Sequence, residues 1–246
     1  MHLSEFHKNG QHIRYDSDIF KSIEDVSFDS QIWAQRSSIV GFAEGRGTTF
    51  FVQHQGQDFV LRHYQRGGLI AKMSTEKYVW LGLRFSRAWK EWLLLEKMIE
   101  KGLPVPIPAA IKAERKWLLY TADIMMHRIP QSRTLANILS NEELAEGYWI
   151  AIGSMIRRFH EEGVYHSDLN ANNILIDDGG RCFLIDFDRC SFKKPNLKWQ
   201  KDNLLRLKRS LNKSLKLEST FYFDDVAWRI LLRGYGWDDF DQDKNI

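Results

Sequence analysis

Apolar residues recur every three or four positions between residues 149 and 159, at Trp149, Ile152, Ile156 and Phe159. That spacing predicts an amphipathic helix, and Gly163, just past Glu161, supplies its stop. Val164-Tyr165 then reads as a short extended entry to a polar loop. Ile174-Leu175-Ile176, the turn Asp177-Asp178-Gly179-Gly180 and Cys182-Phe183-Leu184-Ile185 read together as a β-hairpin. Upstream, Thr48-Thr49-Phe50-Phe51-Val52 and Phe59-Val60-Leu61-Arg62 read as strands on either side of a turn at Gln53 to Gln57. The stretch from Arg87 to Ile99 predicts a helix with Trp92, Leu95 and Met98 or Ile99 on its apolar face. Gly102 ends that helix, and Pro104, Pro106 and Pro108 impose an extended connector. Trp117-Leu118-Leu119-Tyr120-Thr121 reads as a further strand, leading into Ala122-Asp123-Ile124.

The polar residues between these elements carry the chemistry. His166-Ser167-Asp168-Leu169-Asn170-Ala171-Asn172-Asn173 forms one loop, and Ile185-Asp186-Phe187-Asp188 follows the hairpin. The hairpin returns the chain so that Asp186 emerges beside Asp168 and Asn173. Three oxygen-bearing side chains at this spacing match the template for phosphoryl transfer from a nucleotide. In it the first Asp accepts the proton of the acceptor hydroxyl, while the Asn and the second Asp hold Mg²⁺. Mg²⁺ takes oxygen ligands, so a carboxamide and a carboxylate are the right types. Asp168 is therefore the candidate catalytic base, with Asn173 and Asp186 the candidate metal ligands. For the nucleotide, Gly45 and Gly47 lie in the turn Gly41-Phe42-Ala43-Glu44-Gly45-Arg46-Gly47, whose backbone N–H groups could approach phosphates. Arg62 stands at the end of its strand, where the template has Lys; a guanidinium can fork across two phosphate oxygens. Glu91 on the following helix is its expected charge partner, ahead of Glu96.

Length and charge bound this picture. A chain of 246 residues suits one domain or two joined lobes. No apolar run is long enough to span a bilayer. Met1 to Tyr15 is polar, without the apolar stretch of a signal peptide, so a cytosolic chain is expected. Cys182 and Cys190, the two cysteines, are expected to be reduced, packed thiols. Net charge is +3, but from Arg189 to Lys216 ten Lys and Arg face the single acid Asp202. Leu204, Leu205, Leu207, Leu211 and Leu215 thread through those bases. Such a basic amphipathic helix could lie on an anionic membrane, or it could be a solvated face with its leucines in the core. No recognised nucleic-acid-binding module accompanies the patch, so no nucleic-acid partner is expected.

The motifs at 41–190 resemble the protein-kinase-like superfamily. More closely, Phe59-Val60-Leu61-Arg62-His63-Tyr64-Gln65-Arg66-Gly67-Gly68, the Tyr78-to-Glu91 stretch, His166-Ser167-Asp168-Leu169-Asn170 through Asn173, and Ile185-Asp186-Phe187-Asp188-Arg189-Cys190 resemble the bacterial lipopolysaccharide Kdo kinases. The resemblance implies an α+β, two-lobe, protein-kinase-like fold. An N-terminal antiparallel sheet lobe with one main helix would occupy 1–122 and a mainly helical lobe 123–246, with Ala122-Asp123-Ile124 at the adenine-binding hinge. It also implies ATP- and Mg²⁺-dependent phosphorylation of 3-deoxy-D-manno-octulosonic acid (Kdo), at its 4-hydroxyl, on a Kdo-bearing lipid A precursor in lipopolysaccharide core assembly. The expected location is peripheral, on the cytoplasmic face of the bacterial inner membrane, against an anionic membrane surface.

Departures from the protein-kinase pattern point away from a protein substrate. Ser167 stands where many protein kinases have the arginine that pairs with an activation-loop phosphate. Asn170 takes the place usually held by Lys, and Asp188 replaces the flexible Gly of Asp-Phe-Gly. Two other classes stay open: a phosphotransferase for small amino alcohols or antibiotics, and a nucleotide-binding scaffold without catalysis. The basic 189–216 segment suits an anionic acceptor better than a cationic one.

Overall fold

A computed structural model describes residues 2–43, 49–64 and 77–237. The chain divides into two compact units, Met1–Glu96 with Pro106–Arg128, and Lys97–Val105 with Ile129–Ile246. The boundary expected at 122/123 is therefore displaced to Arg128, because it would cut a strand that is paired along its whole length.

The first unit is built on an antiparallel sheet. Its strands are β1 (Leu3–Lys8), β2 (Gln11–Asp16), β3 (Ile39–Ala43), β4 (Thr49–His54), β5 (Gln57–His63), β6 (Tyr78–Val79), β7 (Pro108–Lys116) and β8 (Leu119–His127). Their order is β1-β2-β7-β8-β5-β4-β3, with β6 pairing the start of β8. The polar N-terminal segment thus folds as a hairpin that sequence reading left unassigned. Edge strand β1 turns most of its side chains to water and shows little apolar alternation, while β2 beside it sends Ile13 and Tyr15 into the core. One sheet face closes over a core of Phe20, Trp33, Phe59, Leu61, Ala110 and Met125, with Trp33 supplied by the short helix α1 (Ser30–Gln35). Because strand side chains alternate, Phe59 and Leu61 on that face leave Arg62 and Tyr64 on the other. Helix α2 (Arg87–Glu100) follows. Its buried stripe runs Ala88, Glu91, Trp92, Leu95 and Met98, so an acid occupies a core position of the helix.

The apolar run expected as a strand from Trp117 instead reverses at Trp117-Leu118. The register of β7 on β8 pairs Lys116 with Leu119, which leaves only those two residues for the turn, and Trp117 adopts φ +60°. Ala122-Asp123-Ile124, expected at a hinge, lies inside β8. Ile124 pairs with Arg62, and the buried Asp123 carboxylate takes His63 at 2.6 Å and Lys112 at 3.0 Å.

The second unit is mainly helical: α3 (Leu135–Leu139), α4 (Glu146–Glu161), α5 (Leu197–Leu217) and α6 (Asp225–Tyr235). Strands β9 (Ser132–Thr134), β11 (Ile174–Asp177) and β12 (Cys182–Leu184) form one small sheet, and β10 (Val164–Tyr165) pairs with β13 (Ser191–Phe192). The predicted helix and hairpin are α4 and β11–β12. Cys182 and Cys190 are not joined in a disulfide, and burial pushes the Cys182 thiol up to about 11.

Helices α4 and α6 touch backbone to backbone. A Cβ on Gly153 would sit 2.0 Å from the Leu231 carbonyl oxygen, and one on Gly234 2.3 Å from that of Ile150. Gly153→Ala is therefore expected to lower stability by roughly 1–3 kcal/mol or more, as overpacking does. Gly147→Ala on the same helix meets nothing within 4 Å and should hold or raise stability, since Ala is the better helix former. Urea midpoints of the two variants measure the contrast; equal midpoints would refute the close-packing account.

Candidate active site

The second unit gathers Asp168, Asn173 and Asp186 through a hydrogen-bonded frame. Between β10 and β11 the chain makes the His166–Asn173 loop, and after β12 it enters Ile185–Arg189. The Ile185 N–H donates to the Asn173 carbonyl at 3.0 Å. His166, 2% exposed, spans the same two segments: its Nε2 lies 3.0 Å from the Ile185 carbonyl, and its Nδ1 lies 3.3 Å from the Asp168 N–H. A carbonyl can only accept and an N–H only donate, so the imidazole is neutral with its proton on Nε2. Burial, the largest influence, holds its pKa below the ordinary value and agrees with that form. Ser167 adds a third tie, its Oγ donating to the Asp188 carbonyl at 3.0 Å and its N–H to Cys190 Sγ at 3.3 Å. Phe187 is buried edge-on to His166, with ring centroids 5.1 Å apart, and stacks on Phe159.

The loop also organises itself. Both Asn170 and Asn173 donate a side-chain N–H to the Asp168 carbonyl at 2.9 Å. With Nδ2 so committed, the oxygen of the Asn173 carboxamide is the atom left for a cation. Asp186 sits at φ +62°, the left-handed region that non-glycine residues seldom occupy. Strain of that kind persists only where surrounding contacts over-determine it, and it concentrates at functional sites. Carboxamide and carboxylate oxygens fit a hard divalent cation in donor type.

Support for this loop also comes from α5, which sequence reading did not anticipate. Asn203 Oδ1, on a side chain 1% exposed, accepts the His166 N–H at 3.3 Å, and Ser210 Oγ accepts the Ala171 N–H at 3.3 Å. These partners stand 37 and 39 residues from the loop, beyond any local pattern. The leucines of α5 serve this packing. Leu204, Leu207 and Leu211 are fully buried in the core, whereas Leu205 is half-buried and Leu215 is 44% exposed. Lys208 turns to α6, 3.3 Å from Asp225.

In the first unit, Arg62 and Glu91 meet. A single guanidinium nitrogen of Arg62 donates to both Glu91 oxygens, at 2.7 and 2.6 Å, and the Tyr64 hydroxyl donates to the second of them at 2.6 Å. Glu91 is 2% exposed, which removes the alternative of a surface i to i+4 pair. Burial first, then the Glu91 charge, raises the Tyr64 phenol well above its usual pKa and keeps it a donor. Tyr64 was not singled out in the sequence, although its place two residues after Arg62 puts both on one face of the strand. Gly45 and Gly47 lie outside the described residues.

The family described as "Lipopolysaccharide kinase (Kdo/WaaP) family" matches residues 30–235. A 3-deoxy-D-manno-octulosonic acid kinase of Photobacterium damsela subsp. piscicida is 39% identical, over 91% of this chain and 92% of its own length. Its counterpart in Mannheimia succiniciproducens is 40% identical, over 85% and 89% respectively. Among solved structures, the Cydia pomonella granulovirus kinase PK-1 aligns at 12% identity over 66% of this chain and 56% of its own, with a TM-score of 0.42. Matched by that family over residues 30–235 and by those relatives over most of its length, the chain belongs to the lipopolysaccharide kinase (Kdo/WaaP) family.

Proposed function

We propose that the chain is an ATP-dependent kinase that phosphorylates the 4-hydroxyl of Kdo on a Kdo-bearing lipid A precursor, in lipopolysaccharide core biosynthesis. The observation that carries the reading is the Asp168 loop, locked to the Asp186 segment through His166 and Ser167. The Kdo acceptor is supported by the names of relatives that are 34–40% identical over 85–95% of this chain.

In the proposed reaction the acceptor oxygen attacks the γ-phosphorus of ATP and its proton passes to the Asp168 carboxylate. The bond from that phosphorus to the β,γ-bridging oxygen breaks, and ADP leaves. Asn173 and Asp186 are the residues that would hold Mg²⁺, which when bound neutralises charge on the transferring phosphate. Arg62, fixed by Glu91 and Tyr64, supplies a lasting positive charge for phosphate oxygens. A lipid-borne acceptor and soluble ATP meet at the cytoplasmic face of the bacterial inner membrane, where we place the enzyme as a peripheral protein. Among the described residues no helix is long and apolar enough to cross a membrane.

The test is ATP consumption by purified protein on Kdo-bearing lipid A precursor, set against peptides and amino alcohols. Turnover on the Kdo lipid alone is expected; preference for an amino alcohol or a peptide would overturn the reading. Within it, Arg62→Met should lower kcat/KM for ATP by roughly 10²-fold, the usual loss when a charge-stabilising donor is removed. Arg62→Lys should recover part of it, because a point charge replaces a fork, and Glu91→Gln should cost less than Arg62→Met. Full activity in Arg62→Met would move the role to another base, such as Arg66 or Lys72, which lie outside the described residues.

A further inference from the structure

One end of the first unit carries an apolar surface that the fold does not require. Trp117 and Leu118, at the turn between β7 and β8, are 91% and 75% exposed. Beside them the Trp80 N–H donates to the Leu118 carbonyl at 2.8 Å, which brings Leu81 (73% exposed) next to the same turn. Phe85, 60% exposed, closes a short turn back on Gly82. Val79, paired with Leu119, extends the surface along β8. A tryptophan at φ +60° is an unusual choice for a two-residue hairpin turn, where Gly or Asn costs less. Folding alone would not select that residue, nor would it leave its indole in water. Contiguous exposed apolar surface of this kind marks an interaction site.

The charge around the surface identifies the occupant. Lys8, Arg84, Lys90, Arg115 and Lys116 are exposed at its rim, and Glu114 is the acid on the same strand end, already 3.2 Å from Lys116. The turn after Lys8 is held there by the Arg115 N–H donating to the Gly10 carbonyl at 2.9 Å. Lys90 lies 5.6 Å over the Phe85 ring, and Arg115 sits 5.8 Å over Trp80, which itself stacks on His12. Aromatic and aliphatic side chains at a protruding turn, ringed by bases, suit the interface of a bilayer with anionic headgroups. Rings enter the headgroup boundary while cations meet the lipid phosphates.

We propose that the Trp117-Leu118 turn, with Leu81 and Phe85 and its basic rim, is the surface by which this protein docks on an anionic phospholipid bilayer. It deepens the reading of a lipid-borne acceptor, yet its test needs neither nucleotide nor acceptor, so failure of one leaves the other standing. The apolar anchor lies in the sheet unit; on α5 the central leucines Leu204, Leu207 and Leu211 are packed in the core of the other.

The experiment is flotation of the full-length protein with vesicles of phosphatidylglycerol and phosphatidylcholine, against vesicles of phosphatidylcholine alone. Trp117→Gly with Leu118→Ser installs a pair that suits a turn whose first central residue has positive φ, so the hairpin keeps its fold. That variant should bind anionic vesicles at least about tenfold more weakly, the loss expected when the apolar part of a two-part anchor is removed. Arg84→Gln with Lys90→Gln should lower binding and flatten its dependence on salt. Lys198→Gln with Lys213→Gln, on α5, should change nothing. Undiminished flotation of the turn variant, or loss confined to the α5 variant, would overturn the proposal. So would self-association of the wild type that the turn variant abolishes without any vesicle binding, which would assign the surface to a second copy of the chain.

Discussion

Replacing Asp168 with Ala is expected to lower turnover by roughly 10²–10⁴-fold, the range for losing a positioned proton acceptor, while ATP affinity stays near the wild-type value. The backbone of Asp168 is fully engaged: its carbonyl accepts from Asn170 and Asn173, and its N–H meets His166 Nδ1. None of those bonds uses the carboxylate, so Ala leaves each of them in place. Turnover on the lipid acceptor, read beside a nucleotide titration, separates the two effects. If Asp168→Ala turned over at a near-normal rate, the proton would have another destination and the catalytic assignment would fall.

Asp186→Asn is expected to act differently, removing nucleotide affinity and turnover together. The substitution deletes a negative charge from the group assigned to the cation, and hard cations discriminate strongly for carboxylate over carboxamide. The two changes also meet different backbones. Asn tolerates φ near +60° as well as Asp does, so Asp186→Asn should keep the strained geometry and isolate the charge. Asn173→Ala should be severe as well, because it deletes both a cation oxygen and one of the two donors on the Asp168 carbonyl. Raising Mg²⁺ should restore part of its activity and little of Asp186→Asn. Nucleotide binding indifferent to both substitutions and to chelation would remove the metal from the site.

What the sequence disclosed follows from the range of its signals. Helix α4 and the β11–β12 hairpin were legible because their apolar periods and turn residues are local. The Asp168, Asn173 and Asp186 grouping was legible because a short hairpin joins its halves. The Arg62–Glu91 pair could be guessed from order, but Tyr64's part in it needed the strand's face to be known. Where two arrangements share one pattern, the sequence could not choose between them. The leucines of α5 read equally as a membrane face or a core face, and packing buries Leu204, Leu207 and Leu211 while leaving Leu215 exposed. The run from Trp117 to Thr121 read as continuous strand, and only pairing with β7 fixed the reversal after Lys116. Asn203 and Ser210 left no local trace, since their partners are backbone groups far away along the chain.

Synthesis meets these two partners in a fixed order. The His166–Asn173 loop leaves the ribosome well before Asn203 and Ser210, the side chains that accept its N–H groups. A nascent or truncated chain ending ahead of α5 carries every residue of the motif but lacks the struts that hold the loop in shape. Catalytic competence therefore arrives late in synthesis, when the helix that frames the loop has emerged and packed.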